Sequence, residues 1–194
     1  LLPSLRAHKS PRVVNVGSSS HLRAGRVDPS MLALAEKDAD LSAYAQSKLG
    51  LMQFSNLLRS VHGEWLTVVD AHPGLVWTPM LQRHWGPLAP ALDRTRLARV
   101  LFKTPACGAA TILSAALDPR VPPADWGERS RWRRGWERGQ PYFVNRRPGG
   151  FASKESRDMV LASEMWRTVC EPTARASVPI GCRELVGGLF SSGA

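Results

Sequence analysis

Apolar residues along this chain alternate between short consecutive runs and three- to four-residue spacing. Val13–Val16 is a β-branched run that stops at Gly17 and a serine cluster, which predicts a buried strand entering a polar loop. From Ser42 to about Val61 the spacing turns helical, with Ala45, Leu49, Met52 and Leu57/Leu58 on one side, Leu41 or Ser42 near the N-cap and His62-Gly63 as the stop. Leu66–Asp70 is a second buried strand, closed by His72-Pro73-Gly74. Residues 93–117 predict a second long helix interrupted at Phe102–Pro105, and Tyr142–Val144 a short strand. Ser156–Cys170 predicts a closing amphipathic helix presenting Met159, Val160, Ser163, Trp166 and Val169. The LALAEK stretch at 32–37 suggests a helical turn in a connection, and Leu1–Arg12 resembles the tail of a helix.

Strands alternating with helices predict an open parallel α/β sheet covered on both faces. About three strands are visible, a thin sheet, so further strands are expected upstream. The expected layout is one partial domain over 1–170, a basic tryptophan-rich insertion at 120–140, and a weakly ordered tail at 171–194. No internal repeat is found.

Composition narrows the class only modestly. An apolar fraction of 43% with 22% charged residues is ordinary for a globular protein. No apolar run approaches the about 20 residues a membrane helix needs. Cys107, Cys170 and Cys182 share no metal-ligand spacing and read as reduced thiols of an intracellular protein, cytoplasmic or peripheral to an internal membrane. The net charge of +10 is concentrated partly in Trp126–Gly139, where five arginines alternate with three tryptophans and two glutamates. Such a segment can meet nucleic acid or an anionic membrane surface, but without a nucleic-acid-binding fold a solvated insertion is the plainer reading. His21 and His72 lack neighbouring ligands and read as loop histidines rather than a metal site.

The sharpest chemical signal is Tyr44-Ala-Gln-Ser-Lys48 near the start of the long helix. Residues four apart share a helical face, and a neighbouring ammonium stabilises phenolate relative to phenol, as a general acid/base requires. Alone the pair is weak, since a packed tyrosine beside a solvated lysine looks the same. Context strengthens it, because the serine cluster and the His72-Pro73-Gly74 loop both follow strands, and ligands of open α/β sheets bind beyond strand carboxyl ends.

Val14-Asn15-Val16-Gly17-Ser18, Tyr44-Ala45-Gln46-Ser47-Lys48 and His72-Pro73-Gly74-Leu75-Val76-Trp77-Thr78 together resemble the short-chain dehydrogenase/reductase family. The likeness is strongest over residues 11–80 and extends to about Cys170. The His at 21, Phe102-Lys-Thr-Pro105 with Gly108-Ala109, and Tyr142-Phe143 resemble its retinol-dehydrogenase-like and WW-domain-oxidoreductase-like branch. The resemblance implies the C-terminal part of a Rossmann-type doubly wound parallel sheet. It also implies an NADP- or NAD-dependent oxidoreductase interconverting a lipophilic alcohol, retinoid- or steroid-like, and its aldehyde or ketone. Tyr44 would be the general acid/base, Lys48 would assist it and hold the nicotinamide ribose, and Ser18 would hold the substrate oxygen, with Gly17 in place of the usual first serine. A slip of the serine assignment toward Ser20 stays open. Pro73, Gly74, Val76 and Thr78 match the nicotinamide loop, and Trp77, Met80, Leu81 and Trp85 are candidates for an apolar substrate pocket. The family's T-G-x-x-x-G-x-G turn, its N-N-A-G segment and the residue that selects NAD or NADP are not in this stretch. The alternative is therefore a non-catalytic relative serving as a binding or regulatory module. A homo-oligomer and contact with a membrane surface stay open as partners.

Overall fold

The computed structural model describes residues 2–28, 41–119, 121, 142–148 and 152–175. After a short helix α1 (Leu2–Arg6), strand β1 (Arg12–Val16) ends in a 3₁₀ turn at Ser19–Arg23. Helix α2 (Leu41–His62) returns the chain to strand β2 (Thr67–His72). Three short helices follow, α3 (Pro79–Trp85), α4 (Ala89–Arg94) and α5 (Ala98–Leu101), and then α6 (Pro105–Leu117). Strands β3 (Tyr142–Val144) and β4 (Arg147–Pro148) precede α7 (Lys154–Arg157) and α8 (Met159–Arg175). The sheet order is β1-β2-β3-β4, parallel through β3, with Val14 opposite Val69 and Ala71 opposite Phe143.

Strand side chains alternate between faces, and the core follows that alternation. Val14, Val69, Ala71 and Phe143 pack against Ile112 and Ala115 of α6. Val13 and Val68 turn the other way and meet Leu58 of α2. Helices therefore cover both faces, the doubly wound parallel α/β arrangement. Helix α8 forms an outer layer on α2, where Leu57, Ala162 and Trp166 cluster and Phe54 stacks on Trp166 with ring centres 5.4 Å apart.

Several boundaries differ from the sequence pattern. Within 93–117 the expected interruption at Phe102–Pro105 is present, with Phe102 extended and Thr104 capping α6 by accepting from the Cys107 amide with Pro105 in the first turn, but the stretch before it is broken again at Arg96, which takes a positive φ of 56°. The closing helix is divided at Asp158, whose carboxylate caps α8 by accepting from the amides of Val160 and Leu161. That cap sets the rotation of α8, so its inner stripe is Ala162, Met165 and Trp166, and Val160 is exposed. Helix α8 also runs to Arg175, five residues past the expected end at Cys170. The β3–β4 hairpin, absent from the pattern, turns through Asn145 and Arg146 with φ of 53° and 64°, as a two-residue turn of the primed kind demands. The expected turn at 32–37, most of the insertion at 120–140 and the tail from 176 lie outside the described residues.

Two polar devices lock the layers together. The Arg12 guanidinium donates to the carbonyls of Ala115, Ala116 and Val121, capping the C-terminal end of α6 from β1. On the other face, Arg59 of α2 pairs with Asp70 of β2 at 2.6 Å; Ser55 donates to the other Asp70 oxygen at 2.6 Å, and Asn15 of β1 donates to Ser55 at 2.7 Å. Burial pushes the Asp70 carboxyl up from its ordinary range while Arg59 and Ser55 oppose that push. Removing one partner strands the other. Asp70→Ala is expected to cost about 3–5 kcal/mol in chemical denaturation, and the double change Arg59→Met/Asp70→Leu distinctly less than the sum of the single losses.

Candidate functional site

The carboxyl ends of β1 and β2 open into a cleft of about 950 Å³. Its lining includes Ser18, Tyr44, Lys48, Pro73, Gly74, Val76 and Thr78. The residues picked as catalytic or cofactor-binding candidates from three separated sequence segments therefore line one cavity.

Each is positioned by its own element. Tyr44 and Lys48 stand one turn apart in the first part of α2, with the ammonium 5.6 Å from the centre of the phenol ring. Lys48 Nζ also donates to the Val16 carbonyl at 3.0 Å, which fixes it at the end of β1. Ser18 begins the 3₁₀ turn in extended conformation, and its hydroxyl accepts from the Ser20 amide at 3.2 Å and donates to the Ser20 hydroxyl at 3.1 Å. Ser19 and Ser20 line the cleft too, but Ser18 is the buried one of the three.

The second wall is the loop after β2. Gly74 has φ of 91°, a conformation that disfavours any side chain, and a Cβ there would also displace the end of the Lys103 side chain, 2.7 Å away at Nζ. Lys103 donates to the Pro73 carbonyl at 3.3 Å and to Asn145 Oδ1 at 2.5 Å, tying this loop to the β3–β4 hairpin. Its backbone pairs with the loop, donating to the Leu75 carbonyl and accepting from the Trp77 amide. Because Leu75 and Trp77 make those bonds, the amide and carbonyl of Val76 between them have no protein partner among the described residues, and Val76 lines the cleft. Thr78 caps α3 by accepting from the Leu81 amide at 3.4 Å.

Of the four expected pocket residues, Met80 and Leu81 line the cleft. Trp77 and Trp85 turn away from it, one stacked on Phe102 and the other edge-on to the same ring.

Behind Gly17 and Ser18 stands an aromatic wall that the sequence reading did not find. Tyr142 is edge-on to His21 at 5.6 Å and stacked on His72 at 6.3 Å. A Cβ on Gly17 would come within 3.2 Å of the Tyr142 ring, so the glycine in place of serine accommodates this close approach. Neither histidine is an exposed loop residue: His72 closes β2, His21 sits in the 3₁₀ turn, and both are buried. His21 Nδ1 donates to the Ser18 carbonyl at 2.5 Å, and Nε2 accepts from the Ser153 amide at 3.3 Å, which fixes the neutral tautomer. Burial is the main cause holding His21 below its ordinary value; for His72, burial is joined by Lys103. Burial also pushes the Tyr142 phenol up, with Asp70 adding to it, so the wall is uncharged at neutral pH. The one signal of this role in the sequence was the position of His21 three residues after Ser18.

Comparison with known proteins agrees with this architecture. The chain is 38% identical over 128 residues to polyprenol dehydrogenase of Mus musculus, covering 62% of this chain and 37% of that protein. It is 36% identical over 127 residues to dehydrogenase/reductase SDR family member 13 of Homo sapiens, covering 63% and 33%. It is also 36% identical over 110 residues to retinol dehydrogenase 13 of Mus musculus, covering 54% and 32%. The chain thus spans about a third of the length of the curated relatives it matches. No family model and no solved structure matches.

The buried histidines make a pH prediction. Their folded values lie below the unfolded 6.5, so the unfolded state binds protons first on acidification. Their destabilising effect is absent well above 6.5 and grows as pH falls through 6.5 toward the folded values. Thermal midpoints measured from about pH 8 to about pH 5 should fall, and more steeply for the parent than for His21→Gln/His72→Gln. Parallel curves for the two proteins would show that these rings do not titrate on unfolding.

Proposed function

We propose that the chain is a member of the short-chain dehydrogenase/reductase family and carries the catalytic part of an NAD(P)-dependent oxidoreductase for a lipophilic alcohol and its carbonyl counterpart, a reading supported by the relatives it matches. The observation that carries the proposal is the meeting of Ser18, Tyr44, Lys48 and the Pro73–Thr78 loop around one cleft.

The residues fit a nicotinamide: the unpartnered Val76 amide and carbonyl suit a carboxamide, which needs one acceptor and one donor. Pro73, Val76 and Thr78 would hold that group, and Lys48 the adjoining ribose. When bound, it exchanges a hydride with the carbinol carbon. The protein handles the proton. In the oxidation direction Tyr44 Oη takes the proton of the substrate hydroxyl as the hydride leaves; in reduction it returns that proton to the carbonyl oxygen. Lys48, fixed by the Val16 carbonyl, stands beside the ring and would stabilise the anionic oxygen that Tyr44 carries before it takes the proton and after it gives the proton up. Ser18 donates a hydrogen bond to the substrate oxygen, exchanging its present bond to Ser20 for one to substrate. The neutral wall of His21, Tyr142 and His72 leaves Lys48 as the nearest counter-charge among these groups for a developing oxyanion.

For the substrate, Leu41, Leu75, Met80 and Leu81 give the cleft an apolar mouth, which suits a hydrocarbon tail. The names of the relatives, polyprenol and retinol dehydrogenase, point to the same class.

In the complete natural protein, Tyr44→Phe is expected to lower turnover of a lipophilic alcohol with NAD or NADP by about 10²–10⁴-fold while leaving the unfolding transition in place. A folded Tyr44→Phe protein that kept its turnover would sink the assignment. Lys103→Met should weaken cofactor affinity, read by fluorescence titration with NADH and NADPH, because it frees the Gly74 loop. An unchanged affinity would remove Lys103 from the positioning role.

A further inference from the structure

Residues 78–102 leave the cleft wall and return to it, closed at the base where Lys103 pairs with Leu75 and Trp77. Phe102 is clasped between Trp77 and Trp85, and the Trp77 indole donates to Asp93 at 2.7 Å. The largest aromatic side chains of the segment are thus spent on its own interior. Its outer side is nevertheless apolar: Leu75, Met80, Leu88, Leu97, Val100 and Leu101 are all exposed, Val100 at 81%. Interspersed with them are Arg83, Arg94, Arg96 and Arg99, exposed and without an ion pair among the described residues. Between 79 and 103 five basic residues, these four and Lys103, face one acidic residue, Asp93, which is already engaged by Trp77.

We propose that this outer face docks on an anionic lipid leaflet and that the cleft opens toward the membrane. Exposed aliphatic side chains enter the acyl boundary while arginines reach the headgroups, the mixture that defines an interfacial surface. A second copy of the chain is a poor occupant, because two such faces would bring like charges together. Nucleic acid is a poor one too, because its phosphates satisfy the arginines and leave Val100, Leu101 and Leu97 in water. Leu75, Met80 and Arg83 belong both to this face and to the cleft lining, so the surface is continuous with the mouth. The proposed activity enters only as the reason for that continuity: a lipophilic alcohol dissolved in the leaflet would pass to the cleft without crossing water.

The test is flotation of the purified chain, without cofactor or substrate, with vesicles of phosphatidylcholine alone and of phosphatidylcholine containing about 30% phosphatidylserine. Binding should be several-fold greater to the anionic vesicles and fall in high salt. Val100→Glu/Leu101→Glu, Arg94→Glu/Arg96→Glu/Arg99→Glu and the milder Val100→Ser/Leu101→Ser should each reduce it several-fold. Tyr44→Phe should bind like the parent, so that the docking surface and the catalytic assignment stand or fall separately. The proposal is overturned by a folded chain that ignores both vesicles, by one that binds duplex DNA and not vesicles, or by lid variants that bind like the parent. Loss of binding only in Arg131→Glu/Arg133→Glu/Arg134→Glu would also overturn it, moving the lipid contact to the tryptophan-rich segment.

Discussion

The buried pair of Arg59 and Asp70 fixes helix α2 to the sheet, and the rest of the cleft is measured from that helix. Asp70 is fully enclosed, and an isolated carboxylate there would be expensive to desolvate. Arg59, Ser55 and, through Ser55, Asn15 answer its oxygens, so one side-chain chain crosses α2, β2 and β1. Tyr44 lies fifteen residues from Arg59 on the same helix, about 22 Å along its axis. A tilt of about 5° about the pinned end would carry the phenol by about 2 Å, more than hydrogen-bond geometry tolerates. The Lys48 contact with the Val16 carbonyl is the second pin, close to the working end, and it suppresses that tilt.

Charge is distributed with a consistent sense around this frame. On the Ser18 side the groups nearest the cleft are buried histidines and a buried tyrosine, all held in their neutral forms by desolvation. On the other side Lys103 is occupied by Pro73 and Asn145, a structural cation that also disfavours a charge on His72. Lys48 is engaged by one carbonyl and lines the open space. The arrangement leaves a cation beside the Tyr44 ring and neutral groups on the Ser18 side, with Arg83 the other basic residue of the cleft lining.

Much of this was legible in the sequence where local pattern carries it. The strand at Val13–Val16, the long helix and the second strand follow from periodicity, and the spacing of Tyr44 and Lys48 places them on one face without any tertiary knowledge. What escaped was non-local or conformational. Ser55 and Arg59 share a helical face by their spacing, but nothing in the sequence joins them to Asn15 or Asp70 on the two strands. The additional break within 93–117 turns on Arg96 in a left-handed conformation, and the hairpin on Asn145 and Arg146 in the same region, which for side chains other than glycine is a cost met by tertiary contacts rather than written in propensity. The histidines were misjudged for a related reason: a short polar loop reads as exposed, whereas His21 is drawn inward by acceptors and donors 3 and 132 residues away.

The excursion between Trp77 and Lys103 joins the two halves of the functional reading. Its base is a backbone pairing that also presents Val76 to the cleft, so the same two hydrogen bonds set one edge of the cleft and close a loop. Closing a loop of this length is an entropic cost incurred once, and adding residues to its far end changes that cost only slowly. The outer helices can therefore differ in sequence with little effect on the geometry at Gly74 and Val76, provided the clasp of Phe102 with Trp77 and Trp85 survives. Chemistry is held by the base and surface character by the tip. A fold built this way can hold Tyr44, Lys48 and the Gly74–Val76 edge fixed while the tip varies at the cleft mouth.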